Sequence, residues 1–364
     1  MRGRPPLPYR TRTHPCASAR VLLTACLTLV LAACQTLPAP PPVVATTAPP
    51  APTAPPPAIP EAPPVPPRAL RIGLALGGGA ARGFAHVGVI KALQARGIEP
   101  DIVVGTSVGS FVAALYAAGY DGTDLQRVAL QFEESSITDW SLPTRGFVKG
   151  QALQDFVNRQ VQQRPIERLP RKLGVVATDL ASGEMMVFER GNVGMAVRAS
   201  SSVPGVFQPI SIGGREYVDG GLVSPVPVRA ARRLGADVVI AVDISKKPAN
   251  QSTAGALDIV LQTFTIMGQV ISRTELLDAD VVLRPALGSL GSTDFSSREA
   301  SIRQGEQAVV AQADALDSAL ERARKALAAA LSPLPSPATA PALAPTPPTP
   351  APAPLSLAPI ANKR

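Results

Sequence analysis

Three successive glycines, Gly77 to Gly79, interrupt the apolar stretch "LALGGGAARGFAHVGVI" from Leu74 to Ile90. A single glycine inside a strand or helix costs roughly 1 kcal/mol relative to alanine, so a triplet between two apolar segments marks a place where the backbone itself approaches something closely. The segment before it, "LRIGLAL", reads as a buried strand and the segment after it as a helix. "PDIVVG" reads as a second strand, followed by the apolar helix "GSFVAALYAAG". "KLGVVATDL" and "ADVVIAVDIS" read as further buried strands, with the helix "VPVRAARRLG" leading into the latter. Alternation of strand, crossover helix and strand predicts an α/β fold: one domain with a mostly parallel sheet flanked by helices. The span 68–331 is long enough to give it a sizeable core.

Both flanks of that span differ from it in composition. Residues 34–67 and 332–364 are dominated by Pro, Ala, Thr and Val, which supply little to bury and no backbone donor at each proline; they read as extended spacers. Ahead of them, Arg2, Arg4, Arg10, Arg12 and Arg20 precede an apolar stretch from Val21 to Ala33 with no acid among them, the layout of a secretory signal over 1–33. The long, proline-bearing basic segment points to a start downstream of Met1. Removing the five arginines takes the formal net charge from +8 to +3, and with it the main argument for a nucleic-acid partner. "LAAC", Leu31 to Cys34, resembles the lipobox of bacterial lipoproteins, in which cleavage precedes a lipid-carrying cysteine. "LTAC", ending at Cys26, leaves too short an apolar region, and an uncleaved anchor with a free Cys34 is the alternative. Gln35 after the cysteine resembles lipoproteins of the outer membrane, so the expected location is the periplasmic face of that membrane. Loss of Cys16 and Cys26 with the signal leaves no second thiol for an internal disulfide.

Within the central span two glycine-rich turns compete for a role. The stretch Gly78 to Gly83 follows a strand and opens a helix, as a dinucleotide-binding turn does, but Ala80 stands where that fingerprint needs a glycine. No acid follows about 20 residues on. The second turn contains G-x-S-x-G, at Gly105, Thr106, Ser107, Val108 and Gly109. A buried strand leads in and an alanine-rich helix leads out, which is the context of a nucleophile elbow. Ser107 is therefore a candidate nucleophile, the competing reading being a serine that caps the helix. A histidine base is hard to supply. His14 departs with the signal, and His86 precedes the serine, opposite to the α/β-hydrolase order, so it reads as packing or hydrogen bonding within its helix. "REYVDGGLVSPVPV" frames one carboxylate, Asp219, at the end of a short strand before Gly220 and Gly221; alone, Asp-Gly-Gly is also an ordinary turn.

The three motifs together, G-G-[GA]-x-R-G, then G-T-S-V-G, then D-G-G, resemble the patatin-like phospholipase family, and "AVRASSSVPGVFQPI" resembles its bacterial members. The resemblance runs from Arg71 to about Asp243. It implies a serine acyl hydrolase with a Ser107–Asp219 dyad, acting on fatty acyl esters of membrane phospholipids or lysophospholipids in lipid catabolism or remodelling, without metal or other cofactor. Gly78, Gly79 and Ala80, with Val108 after the elbow, become the expected oxyanion-hole donors. Gly77, Gly83, Gly105, Gly109, Gly220 and Gly221 become the motif glycines. Ala80 replaces a glycine, which is tolerable at an ordinary φ. Arg82 either steadies the loop or meets a lipid phosphate, the loop role being favoured. Burial is expected to raise the pKa of Asp219 toward that of a working base. A non-catalytic envelope lipoprotein that binds lipid or a protein partner is the rival reading, and turnover of an ester separates the two.

Overall fold

The computed structural model describes residues 68–141, 145–248, 254–288 and 296–331. The expected signal 1–33, Cys34, the linker 34–67 and the tail 332–364 lie outside the described residues.

Chain order alternates as the sequence predicts. β1 (Ile72–Leu76) leads through a 3-10 turn, Ala80–Gly83, into α1 (Phe84–Ala95); β2 (Ile102–Thr106) leads into α2 (Val108–Ala117), α3 (Gly122–Gln131) and α4 (Gln151–Gln160). β3 (Lys172–Asp179) and β4 (Met185–Phe188) precede α5 (Val193–Ser200), and β5 (Ile210–Ile212) and β6 (Arg215–Asp219) precede α6 (Val228–Arg233). β7 (Val238–Val242), α7 (Ala256–Glu275), β8 (Val281–Leu283), α8 (Arg298–Ala311) and α9 (Ala313–Leu331) complete the chain.

Among the described residues the strands form one eight-stranded sheet with hydrogen-bonded order β5-β6-β3-β2-β1-β7-β8, and β4 also pairs with β3. The pairs β1–β2, β1–β7, β2–β3 and β7–β8 are parallel; β3–β4, β3–β6 and β5–β6 are antiparallel. Alternate residues of the central strands feed two different cores. Leu74, Leu76, Val103 and Ile240 pack with α1, α2, α5, α8 and α9, whereas Ala75, Val104, Val239 and Ala241 pack with α6. With both faces covered, β1, β2 and β7 must be apolar throughout rather than alternating, which is why they read as continuous runs.

Candidate active site

The register of β3 brings the two singled-out residues together. β4 occupies one edge of β3 along 175–178. β2, paired with 172–176, and β6, paired with 177–179, therefore lie end to end along the other edge. Because β2 is parallel to β3 and β6 antiparallel, their C-termini meet: Thr106 stands opposite Val176, and Asp219 opposite the next residue, Ala177. Ser107 follows Thr106, so the head-to-head meeting of two strands sets serine beside carboxylate.

Ser107 turns the chain out of β2 at φ 54° and ψ −127°, a conformation that costs a non-glycine residue on the order of 1 kcal/mol or more. Its side chain makes no capping bond to α2, which removes the reading of a helix cap. The backbone is pinned instead: its N–H donates to Ser200 Oγ at 2.8 Å, and its carbonyl accepts from Ser110 N at 2.8 Å and Ser110 Oγ at 2.6 Å. Gly109 permits the tight entry into α2, since a Cβ there would lie 2.2 Å from the Leu76 carbonyl oxygen.

Asp219 is buried, and its Oδ1 accepts from Gly221 N–H at 2.7 Å, so the Asp-Gly-Gly turn does form. Oδ2 is buried with no hydrogen bond of full geometry. Burial pushes the Asp219 carboxyl up to about 6, partly opposed by the Gly221 N–H and then by the Ser107 hydroxyl, which faces the same carboxylate. The hydroxyl thus interacts with Asp219 without closing a well-aligned bond. Thr178 Oγ1 donates to Asp219 O at 2.8 Å, and Asp219 N donates to Ser202 O at 3.0 Å, fixing its backbone from both sides.

Gly78, Gly79, Ala80 and Val108 all line the cavity containing Ser107 and Asp219. Their N–H groups are not equivalent. Gly78 N–H donates to Pro225 O at 2.9 Å, which takes it out of the expected donor set; what Gly78 supplies is room, because a Cβ there would sit 3.3 Å from Ser107 Cβ. Among the described residues no acceptor is bonded to the N–H groups of Gly79, Ala80 or Val108, the last two being first residues of helical turns and so without an intrahelical partner. Ala80 also corrects an expectation: its φ is 49°, in the left-handed region, not an ordinary value.

His86 is fully buried and its Nε2 lies 2.8 Å from Gly77 O, so it braces the glycine loop rather than its own helix. Desolvation holds its pKa down to about 4, keeping the ring neutral. Arg82 is buried with Nε donating to Ile244 O at 2.7 Å and Nη2 to Ser245 O at 3.3 Å, the loop-steadying arrangement. Gly83, Gly105 and Gly220 sit where a Cβ would strike Val108, Gly109 and Val176 respectively.

The sequence did not single out Ser200, Ser202, Ser224, Pro225 or Glu275. Thr106 Oγ1 donates to Ser224 O at 2.8 Å, and Ser224 Oγ donates to Glu275 Oε1 at 2.6 Å. The Ser224–Pro225 segment thereby ties the end of β2, the glycine loop and the end of α7 together. The serine run 200–202 was the available signal for the first two; nothing local marked Glu275.

A cavity of about 1200 Å³ opens over Ser107, with an apolar lining that includes Phe84, Phe111, Leu115, Leu125, Phe132 and Phe264. It exceeds the usual range for drug-sized ligands and suits a long hydrocarbon chain held beside one polar end. Among the described residues no group of three or more His, Cys, Asp or Glu side chains is arranged to hold a metal ion.

Residues 74–232 match the family model described as patatin-like phospholipase. This span carries a patatin-like phospholipase domain. It contains the glycine loop, Ser107 and Asp219, whereas β7, α7, β8, α8 and α9 lie beyond it. An uncharacterised NTE family protein of Mycobacterium bovis is 34% identical over 222 residues, covering 57% of this chain and 60% of that protein. Human patatin-like phospholipase domain-containing protein 6 is 35% identical over 193 residues, which is 50% of this chain and 14% of that one. The chain thus spans less than two thirds of the length of either relative. Among solved structures, VipD from Legionella pneumophila is similar with a TM-score of 0.46 at 15% identity, over 69% of this chain and 67% of that one.

Proposed function

We propose that the patatin-like domain is a serine acyl hydrolase that cleaves ester-linked fatty acyl chains of phospholipids or lysophospholipids through Ser107 and Asp219. The observation that carries this reading is the pairing of a strained, non-capping serine with the unbonded Oδ2 of a buried carboxylate whose pKa is raised to about 6. Ser107 Oγ attacks the ester carbonyl carbon while Asp219 Oδ2 takes the hydroxyl proton. The carbonyl oxygen becomes an oxyanion facing the N–H groups of Gly79, Ala80 and Val108. The C–O bond to the alcohol then breaks, and the proton on Asp219 passes to the departing alkoxide. Water, deprotonated by Asp219, attacks the acyl-serine and releases the fatty acid, returning the proton to Ser107.

The same proposal includes the lipid anchor at Cys34 and a location on the periplasmic face of the outer membrane. A clickable fatty acid that labels wild type but not Cys34→Ala tests the anchor, and wild-type protein found wholly in the cytosol refutes it. The hydrolase is tested with a panel of phospholipid, lysophospholipid and short-chain esters, run on wild type and Ser107→Ala side by side. Turnover by wild type alone supports the proposal, and a folded wild type inert on every ester favours a lipid-binding lipoprotein instead.

A further inference from the structure

α7 is apolar on two opposite faces. Leu261, Phe264 and Gly268 turn inward and, with the partly exposed Leu257, line the cavity. On the other side Ile259, Ile266 and Val270 are 53%, 47% and 60% exposed, with Val260 and Met267 beside them at 43% and 47%. At 100° per residue, 259, 266 and 270 fall together, opposite 257, 261, 264 and 268. Of its twenty residues only Ser272 and Glu275, at the C-terminal end, are buried. Asp258, Gln262, Thr265 and Gln269 fill one flank between the two apolar faces, and Val260 and Met267 join those faces on the other. The outward apolar face has no core against it among the described residues, as an interfacial helix would have it.

The exposed stripe lies on the helix that forms one wall of the cavity. Trp140, 74% exposed, and Phe147, 43% exposed, also line the cavity. Lys246 lines it too, Lys247 follows in the chain, and the bridge between Trp140 and Val148 sets Lys149 nearby. Among the described residues none of these three lysines forms an ion pair. The acids of the rim are Glu134 and Asp258, and Asp258 Oδ2 accepts from Gly255 N–H at the start of α7. Exposed aliphatic residues with an exposed tryptophan and unpaired lysines at the margin form the chemistry of a surface that beds into the headgroup boundary of an anionic bilayer.

We infer that the outer face of α7, with Trp140 and Phe147, docks the domain onto an anionic lipid surface and turns the cavity mouth toward it. The unpaired lysines at the margin favour an anionic bilayer over a second copy, which would bring the same positive charge against them. The inference deepens the hydrolase proposal by naming the surface through which its lipid arrives, and so rests on that reading for its purpose but not for its readout.

Trp140 is the only tryptophan in the sequence, so intrinsic emission reports this rim alone. The full chain carrying Cys34→Ala, which excludes an acyl anchor, is mixed with phosphatidylcholine vesicles with and without phosphatidylglycerol. Emission should shift to the blue with phosphatidylglycerol present. The triple variant Ile259→Gln, Ile266→Gln, Val270→Gln in the same chain should lose vesicle partitioning by about tenfold or more, while hydrolysing a short dispersed ester as before. A Lys246→Gln, Lys247→Gln variant should lose only the phosphatidylglycerol dependence. No emission shift on vesicles, or partitioning unchanged in the triple variant, overturns the inference. So does a wild-type dimer that the triple variant converts to monomers, which assigns the stripe to a second copy. Partitioning without turnover of any ester keeps the docking surface and sinks the hydrolase, and turnover of dispersed ester without partitioning does the reverse.

Discussion

Gly78 donates its backbone N–H to the carbonyl of Pro225 at 2.9 Å, while its missing side chain leaves space for Ser107. The bond ties the first glycine motif to the segment after the last one, so the loop and Asp219 are parts of a single assembly. Gly78→Ala keeps the N–H but places a methyl 3.3 Å from Ser107 Cβ, closer than ordinary contact. The fold should stand and the serine should be displaced by a fraction of an ångström, lowering turnover by roughly 10²-fold. Fluorophosphonate labelling should slow in parallel, because the nucleophile itself has moved. Full activity in this variant would show that the spacing does not matter.

At Ser107 itself strain and chemistry separate. Ser107→Ala should abolish turnover and labelling while moving stability by less than about 0.5 kcal/mol, since alanine suffers the same φ. Ser107→Gly should be equally inactive but more stable by up to about 1 kcal/mol, because glycine accepts a positive φ without a Cβ clash. Equal melting temperatures for the alanine and glycine variants would mean that the elbow stores no strain.

Ala80 is a second strained position with a different prediction. Its φ of 49° costs alanine about 1 kcal/mol, partly offset by the smaller unfolded-state freedom of alanine relative to glycine. Ala80→Gly should therefore gain about 0.5 kcal/mol in a thermal melt and leave turnover nearly intact, the N–H being retained. A loss of stability would place the strain elsewhere in the loop.

Much of this architecture was legible because strands buried on both faces must be written as unbroken apolar runs, and because turns that bring backbone to backbone must be written in glycine. β1, β2, β3 and β7 were readable on the first ground, and the Ser107 elbow on the second. What the sequence could not show is which atoms were already spoken for. The N–H of Gly78 looks identical to that of Gly79 until the Pro225 carbonyl is placed opposite it. That a Cβ at Gly79 would strike Ile244, 165 positions away in the chain, shows only once the fold brings them together. His86 reads from the sequence as packing or hydrogen bonding within its helix, but its partner, Gly77 O, lies outside that helix. Glu275 carries no local signal, since its burial arises only when α7 ends beside Ser224.

Glu275 should give the protein a pH-dependent stability that is separable from catalysis. Burial raises its pKa to about 7 from an ordinary value of 4.5. Between those values the unfolded chain holds fewer protons than the folded one, so stability falls as pH rises from about 4.5 to 7. Glu275→Gln keeps a polar contact for Ser224 Oγ and removes the ionisation. It should match wild type at pH 4.5 and exceed it at pH 8 by on the order of 2 kcal/mol. Melts of the two proteins across that range check this, and a constant difference at all pH values would mean that Glu275 does not titrate there.

Asp219 follows the same sign in stability and the opposite one in activity. Its carboxyl, raised from 3.8 to about 6 chiefly by burial, destabilises the fold when ionised, so stability contributed by the protonated form is lost as pH rises through that window. Yet only the ionised form can take the Ser107 proton. On a soluble short-chain ester, kcat/KM should therefore climb with pH along a limb centred near 6. Asp219→Asn should remove that limb, lower turnover by roughly 10² to 10⁴, and raise the melting temperature at pH 8 because no charge remains to be buried. Two other groups could counterfeit the profile. A limb near 4 would match His86, whose ring is held neutral down to about that pH, and a limb near 7 would match Glu275. Running the profile on Glu275→Gln and His86→Gln separates them: if either substitution moves the limb and Asp219→Asn does not, the proton acceptor is not Asp219.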